Sequence, residues 1–108
     1  MRSFASLRRQ ADFARLRRHG RRVSTKSLTI YRSDSLPGDV RALVGITVSK
    51  TIGKAVLRNK LRRRLAAILD EALARRDAMR LLFVARPLAA SASFRDLRAE
   101  VTSALGRV

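Results

Sequence analysis

The sequence has 108 residues, 46% of them hydrophobic, and carries a formal net charge of +17 from 25 Lys and Arg against 8 Asp and Glu. This length indicates a single domain over residues 1–108, and the hydrophobic fraction excludes wholesale disorder. The absence of cysteine excludes disulfide scaffolds and thiolate metal sites. No apolar run is long enough to cross a membrane, and the N-terminus lacks the apolar core of a signal peptide, so we expect a cytoplasmic protein.

The charge excess predicts a polyanionic partner, since self-repulsion of this size disfavours the compact state. Nucleic acid, an anionic membrane and an acidic protein are all possible partners. Most of the cations are Arg, whose planar guanidinium suits phosphate and can stack on bases. The composition therefore favours nucleic acid.

The N-terminal part of the chain predicts a flexible basic arm followed by a short helix. We expect the arm over residues 1–9. The helix is expected over Gln10–His19, because Phe13 and Leu16 are three residues apart and Gly20 is a typical stop. His19 is the only histidine and falls in the last turn, where the helix dipole favours a cation; a direct RNA contact is the alternative.

Alternating apolar residues predict two strands in the next segment. The first is expected over Arg22–Arg32, with Tyr31 opposite in parity to Leu28 and Ile30, and the second over Val40–Ser49. The intervening DSLPGD has the composition of a turn. We therefore expect the two strands to form an antiparallel hairpin.

The segment after the second strand changes to helical periodicity. We expect a helix from Gly53 or Lys54 to Arg76, with one apolar stripe formed by Leu57, Leu61, Leu65, Ile68 and Ala72. Its first turns are almost entirely cationic, and no acid lies between Asp39 and Asp70. Like charges at this spacing repel. Nothing within the helix compensates the repulsion, so we infer that a polyanion does.

The C-terminal part predicts one more strand and one more helix. Arg80–Ala85 is nearly all apolar, as in a central strand buried on both faces. Ser91 or Ser93 can cap a helix that runs to Leu105, and we expect Phe83 and Phe94 in the core. The element order predicts an α+β sandwich in which one mixed β-sheet packs with about three helices.

The sequence also argues against chemistry carried by the protein. Gly45, Gly53 and Lys54 do not have the spacing of a Walker loop, which excludes nucleotide hydrolysis of that type. A protein nuclease needs a general base or a carboxylate metal cage, and one His with eight scattered acids forms no such cluster. We expect no catalytic residue and no metal site in this chain.

The segment VGITVSKTIGKAVLRNKLRRRL at 44–65 resembles the protein component of bacterial ribonuclease P. That family has Val-Ser-Lys at the end of a strand, then Gly-x-Ala-Val and Arg-Asn-Arg on a basic helix. The matching residues are Val48, Ser49, Lys50, Gly53, Ala55, Val56, Arg58, Asn59, Arg62 and Arg63. DFARLRRHG at 12–20, Tyr31 and ARP at 85–87 extend the resemblance over nearly the full chain.

The resemblance implies a small RNA-binding subunit of the ribonuclease P ribonucleoprotein, a hydrolase whose RNA, with Mg²⁺, cleaves precursor tRNA as an endoribonuclease. The protein would bind the catalytic RNA and hold the 5′ leader of precursor tRNA between its first helix and the sheet. One monomer per catalytic RNA is expected, with no cofactor in the protein. The implied fold is ribosomal-protein-S5-like, with a left-handed βαβ crossover.

The resemblance also implies two sets of site residues. The catalytic RNA would be bound by Lys50, Lys54, Arg58, Asn59, Lys60, Arg62 and Arg63, and the leader by Phe13, Arg17 and Tyr31. For Asn59, a structural cap at the loop–helix junction is an alternative to RNA contact. Phe13 could equally be a core residue.

Some positions depart from the family pattern. Lys60 keeps the charge of the second Arg of Arg-Asn-Arg without its bidentate fork, and Thr51 and Ala66 stand where basic residues are usual. Arg17 stands where many members have an aromatic, which weakens the expectation of a two-aromatic stacking site.

Two other functional classes fit the same charge. A structural RNA-binding module such as a ribosomal protein would bind RNA without stimulating a ribozyme, and a self-sufficient ribonuclease would cleave without RNA. A membrane-surface peptide fits least, because the strands need a packed sheet.

Overall fold

The computed structural model describes residues 2–108 and contains one five-stranded sheet and three helices. The strands are β1 (Phe4–Ser6), β2 (Arg21–Ser24), β3 (Leu28–Asp34), β4 (Ala42–Thr47) and β5 (Met79–Ala85). The helices are α1 (Gln10–His19), α2 (Ala55–Ala72) and α3 (Phe94–Leu105), with short 3-10 turns at Lys50–Ile52 and Pro87–Ser91. This is the predicted α+β class with a mixed sheet. Among the described residues, no helix is long and apolar enough to cross a membrane.

The sheet has the strand order β1-β4-β5-β3-β2, which places β5 at its centre. β5 is parallel to β4 and antiparallel to β3. Leu81, Leu82 and Phe83 are fully buried, which confirms the prediction of a central strand covered on both faces. The predicted hairpin between Arg22–Arg32 and Val40–Ser49 is wrong, because the most apolar strand lies between these two segments.

The predicted strand over Arg22–Arg32 is in fact the antiparallel hairpin of β2 and β3. Thr25 Oγ1 accepts a hydrogen bond from the Leu28 N–H at 3.1 Å in the turn between them. The Ser27 N–H and hydroxyl both donate to the Glu100 carboxylate on α3, at 2.8 Å each. The turn is therefore held by a residue more than 70 positions away, which alternation alone does not reveal.

The prediction of a flexible arm over residues 1–9 is wrong for its described part, because β1 pairs in parallel with β4. Met1 lies outside the described residues. Phe4 is buried in the main core and Leu7 on the opposite side of the sheet. The Ser3 N–H donates to Asp70 Oδ1 at 2.7 Å, and the Ser3 hydroxyl donates to the Asp70 carbonyl at 2.7 Å. The Ser3 N–H also holds the pKa of the Asp70 carboxyl below its usual value.

The main core lies between one face of the sheet and helices α2 and α3. Leu61, Leu65 and Ile68 are buried as predicted, whereas Leu57 and Ala72 at the ends of the stripe are only partly buried. Helix α2 ends at Ala72 rather than at the predicted Arg76, because the chain turns at 73–75.

Of the two predicted caps of helix α3, Ser91 and Ser93, the structure shows Ser93 at the N-cap position. Ser93 Oγ accepts from the Asp96 N–H at 3.0 Å. The prediction that Phe94 lies in the core is wrong: its side chain is 41% exposed, because the buried stripe of α3 begins one turn later, at Leu97.

Helix α1 has the predicted bounds and covers the other face of the sheet. Leu16 packs there with Leu7 and Leu82, and Phe13 packs at the edge of this cluster. A Cβ atom on Gly45 of β4 would lie 2.5 Å from Phe13 Cε1. Glycine at this position therefore allows the Phe13 ring to lie directly on the strand.

An ion cluster fastens α1 and the β3–β4 loop to the central strand. The Arg80 guanidinium donates to Asp12 at 3.0 Å and to both oxygens of Asp39 at 3.0 and 3.2 Å. The Arg80 side chain is only 12% exposed. Its hydrogen bonds hold the pKa of Asp39 below its usual value, and Asp39 raises the pKa of Arg80.

We expect Gly45→Ala to lower the free energy of unfolding by about 1–3 kcal/mol, because the added methyl group overpacks against Phe13. Urea unfolding monitored by circular dichroism measures the loss. In a Phe13→Ala background the same substitution should cost much less, since the clashing ring is gone. An equal loss in both backgrounds would show that Phe13 is not the cause.

We expect Asp39→Asn to flatten the acid dependence of stability. The pKa of Asp39 is lower in the folded than in the unfolded chain, so its contribution is present above its unfolded value of 3.8 and is lost as the pH falls through the folded value. The difference in unfolding free energy between wild type and variant should therefore shrink from pH 6 to pH 2. Asp77→Asn, which removes an exposed carboxylate, should retain the wild-type profile.

Candidate nucleic-acid interface

The cationic residues predicted on the main helix lie together at its N-terminal end. We call this surface the α2 basic face; it consists of Lys50, Lys54, Arg58, Asn59, Lys60, Arg62 and Arg63. Lys54, Lys60 and Arg63 are exposed, and Arg58 and Arg62 are half-buried. Among the described residues, none of these cations forms a salt bridge: the ion pairs found involve only Arg80 and Arg98 as cations.

A tight connection brings the predicted residues after β4 onto this face. The 3-10 turn Lys50–Ile52 is anchored by the buried Ile52. Gly53 follows with φ of +153°, a conformation that side-chain-bearing residues rarely adopt. The chain then enters α2 at once, so Lys50 lies near the start of the helix.

The start of α2 has an unusual capping residue. Lys54 occupies the N-cap position without a side-chain hydrogen bond, and the first turn contains no acid. Helix N-termini normally carry Ser, Thr, Asp or Asn, because the dipole there favours negative charge. A cation at this end is unfavourable unless an anion lies nearby.

Most of the acids that could neutralise the α2 basic face bond to other groups of the protein. Five of the eight bond to protein groups: Asp12 and Asp39 to Arg80, Asp70 to Ser3, Glu71 to Arg98 and Glu100 to Ser27. Asp70 and Glu71 lie at the far end of α2, as the sequence indicated. The face is therefore left with uncompensated positive charge.

Arg62 links the α2 basic face to the end of β4. Its Nη2 donates to the Val48 carbonyl at 3.3 Å, and its Nη1 donates to Asn59 Oδ1 at 3.3 Å. The alternative that Asn59 caps the loop–helix junction is therefore wrong. Asn59 lies within α2 and orients the Arg62 side chain. The Nε of Arg58 is buried and has no hydrogen-bond partner.

A cleft adjoins the α2 basic face, between α1 and the end of β4. One part has a volume of about 480 Å³ and is lined by Gln10, Phe13, Arg17, Thr47 and Arg62, among others. A second part of about 320 Å³ continues along β1 and includes Arg2 and Arg63. Phe13 and Arg62 line both parts, so the two form one path.

The cleft contains only part of the predicted leader site. Phe13 and Arg17 lie in it, but Tyr31 does not line it; this side chain packs half-buried on the Leu7–Leu16–Leu82 cluster. Gln10, Thr47 and Arg2 were not predicted. Only tertiary packing brings them together, and no local sequence signal marks them.

The chain is similar to known proteins over nearly its whole length. The family model described as Ribonuclease P matches residues 1–108. The ribonuclease P protein component of Acidothermus cellulolyticus is 41% identical over 103 residues, covering 94% of this chain and 86% of that protein. That of Thermobifida fusca is 38% identical over 109 residues, covering 94% and 74%.

Solved structures show the same fold. The ribonuclease P protein of Staphylococcus aureus has a TM-score of 0.81 at 24% identity, covering 94% of this chain and 92% of that chain. A Thermotoga maritima ribonuclease P protein has a TM-score of 0.83 at 22% identity, covering 94% and 98%. From the match over the full chain and the identity of these relatives, this chain belongs to the family of ribonuclease P protein components.

Proposed function

We propose that this chain is the RNA-binding subunit that assists a catalytic RNA in removing the 5′ leader from precursor tRNA. The observation that supports this proposal most strongly is the α2 basic face, whose cations have no acidic partner and which adjoins a cleft containing Phe13. We place the catalytic RNA on the α2 basic face and the leader in the cleft.

The α2 basic face suits the sugar-phosphate backbone of the catalytic RNA. Phosphate contacts need positive charge and little base recognition, and each contact releases condensed counterions. The exposed Lys54, Lys60 and Arg63 are free to make such contacts. Asn59 supports them indirectly, by holding Arg62 against the end of β4.

The cleft suits a single-stranded leader. A base can stack on the exposed part of Phe13, and Arg17 and Arg62 can pair with the phosphates on either side. Tyr31 packs on the same apolar cluster as Phe13. A direct contact between Tyr31 and the leader remains a prediction.

We assign cleavage to the RNA, with Mg²⁺ bound to that partner and no catalytic residue in the protein. The only histidine, His19, is exposed at the end of α1 and lines neither part of the cleft. The proposal includes one monomer per catalytic RNA, in the cytoplasm.

The reconstitution assay adds the protein to purified catalytic RNA at limiting Mg²⁺, and stimulated cleavage of precursor tRNA is expected. Cleavage by the protein alone would instead indicate a self-sufficient ribonuclease.

We expect the double variant Lys60→Gln/Arg63→Gln to weaken binding to the catalytic RNA and to reduce its salt dependence. Two lost phosphate contacts should lower the slope of log K against log salt concentration by about 1.8. Filter binding over 50–300 mM salt measures the slope, and stimulation at limiting Mg²⁺ should fall in parallel.

The matched control for this variant is Arg75→Gln/Arg76→Gln. It removes the same charge from two exposed arginines in the turn after α2. If both double variants changed the slope equally, net charge rather than the α2 basic face would explain the effect.

We expect Phe13→Ala to weaken binding of leader-bearing precursor tRNA by roughly 1–3 kcal/mol, the usual range for the loss of one base–aromatic stack. Affinity of the reconstituted complex for substrates with and without a leader measures this. The loss should vanish for the leaderless substrate. Phe94→Ala, which removes an exposed aromatic ring from α3, serves as control and should leave both affinities unchanged.

A further inference from the structure

We propose that the segment Arg15–Arg22 forms a second RNA-binding surface. It would contact a double-helical segment of the catalytic RNA, separate from the part of that RNA bound by the α2 basic face. We call it the α1–β2 basic surface; it consists of Arg15, Arg18, His19, Arg21 and Arg22. The inference rests on the proposed function, because it assumes that the catalytic RNA is a partner.

The segment is more densely cationic than the α2 basic face. RLRRHGRR contains five arginines and one histidine in eight residues. All six side chains are exposed, and none forms a salt bridge or a hydrogen bond within the described part of the chain. Of this group, Arg17 lines the leader cleft, and the others do not.

The local pairing of this segment is unfavourable without an anion. Arg21 of β2 lies directly opposite Arg32 of β3, and like charges at such positions destabilise a sheet. Arg32 uses its Nη1 to donate to the Val108 carbonyl at 2.8 Å, and its Nε is buried without a partner. The nearby Asp12 is engaged by Arg80.

A cavity formed by the end of α1, β2 and β3 could hold a phosphate at this surface. It has a volume of about 450 Å³ and is lined by His19, Arg21, Arg32, Ser33 and Asp34. Three of these side chains can carry positive charge, and the Ser33 hydroxyl can donate a hydrogen bond. Asp34 is the one acid among them and opposes an anion there.

The position of the surface separates it from the leader. β2 is the outermost strand, and β3 and β5 lie between it and β4, the strand that borders the cleft. At about 4.8 Å between neighbouring strands, β2 and β4 are roughly 14 Å apart. Helix α1 also stands between the cleft and the cavity, since Phe13 and Arg17 line one and His19 lines the other.

The chemistry of the surface favours duplex RNA over unpaired nucleotides. The segment and the cavity lining contain no Phe, Tyr or Trp, and His19 is the only ring among them on which a base could stack. Recognition there would use phosphates and the shape of the helix. We assign the segment to the catalytic RNA because the α2 basic face already binds that molecule, so a second contact would form at a high effective concentration.

The first test is the double variant Arg21→Gln/Arg22→Gln in the full-length chain, measured by filter binding to the catalytic RNA without substrate. The slope of log K against log salt concentration should fall by about 1.8, as for two lost phosphate contacts. Arg75→Gln/Arg76→Gln is the matched control and should keep the wild-type slope. Arg18→Gln, a single exposed site on α1, should lower the slope by about half as much.

The second test has the opposite sign. Asp34→Asn removes the acid that opposes a phosphate in the cavity and should tighten binding to the catalytic RNA severalfold. Asp77→Asn removes an exposed acid outside the cavity lining and should leave the affinity unchanged. No variant should melt below the wild type, since these side chains are exposed, and Arg21→Gln/Arg22→Gln should melt slightly higher because it removes the repulsion between Arg21 and Arg32.

Two results would overturn the inference. The first is an Arg21→Gln/Arg22→Gln slope equal to that of the wild type, while Lys60→Gln/Arg63→Gln still lowers the slope. The second is a loss that appears only when precursor tRNA is present, which would assign the surface to the substrate. Failure of the proposed function looks different, because the wild-type protein would then neither bind nor stimulate the catalytic RNA.

Discussion

The distribution of hydrogen bonds to the few acidic side chains determines what this protein can bind. With 25 cations and 8 acids, the fold cannot neutralise itself, and five of those acids bond to protein groups. Arg80 engages Asp12 and Asp39 together, and so fastens α1 to the central strand. Because these acids bond to other groups of the protein, they do not neutralise the cations of α2 and of Arg15–Arg22, which remain available to an external anion.

Burial of the sheet on both faces stabilises the fold against repulsion between its cationic elements. β5 is buried on both faces, so apolar packing on either side can offset repulsion between the cationic elements that cover it. Helix α2 covers one face and helix α1 the other. The cations of α1 and those of α2 are consequently carried by helices that pack on opposite faces of one sheet.

The features that the sequence predicted well are local. The bounds of α1, the cap at Ser93 and the buried stripe around Leu65 all follow from spacing within one helix, and the apolar run of β5 marks its central position. The predictions that were wrong concern features that depend on residues distant in sequence. β1 forms because β4 has a free edge and Asp70 binds Ser3, and the β2–β3 turn depends on Glu100. The prediction that Phe94 is buried was wrong because its spacing fits the apolar stripe of α3, whereas the first turn of that helix lies beyond the core.

The same distinction applies to the candidate site. The cations of α2 could be identified from composition and resemblance, because their significance lies in their number and sign. The resemblance implied a leader site between the first helix and the sheet, and Phe13 and Arg17 line the cleft there. The rest of its lining could not be derived in that way, since it forms only where α1, β1 and β4 meet, and Tyr31 does not line it. Arg62 and Arg63 belong to both the basic face and the cleft. In the proposed complex, the RNA on α2 and the leader would therefore lie against neighbouring side chains of one helix, so that the position of each RNA would restrict that of the other.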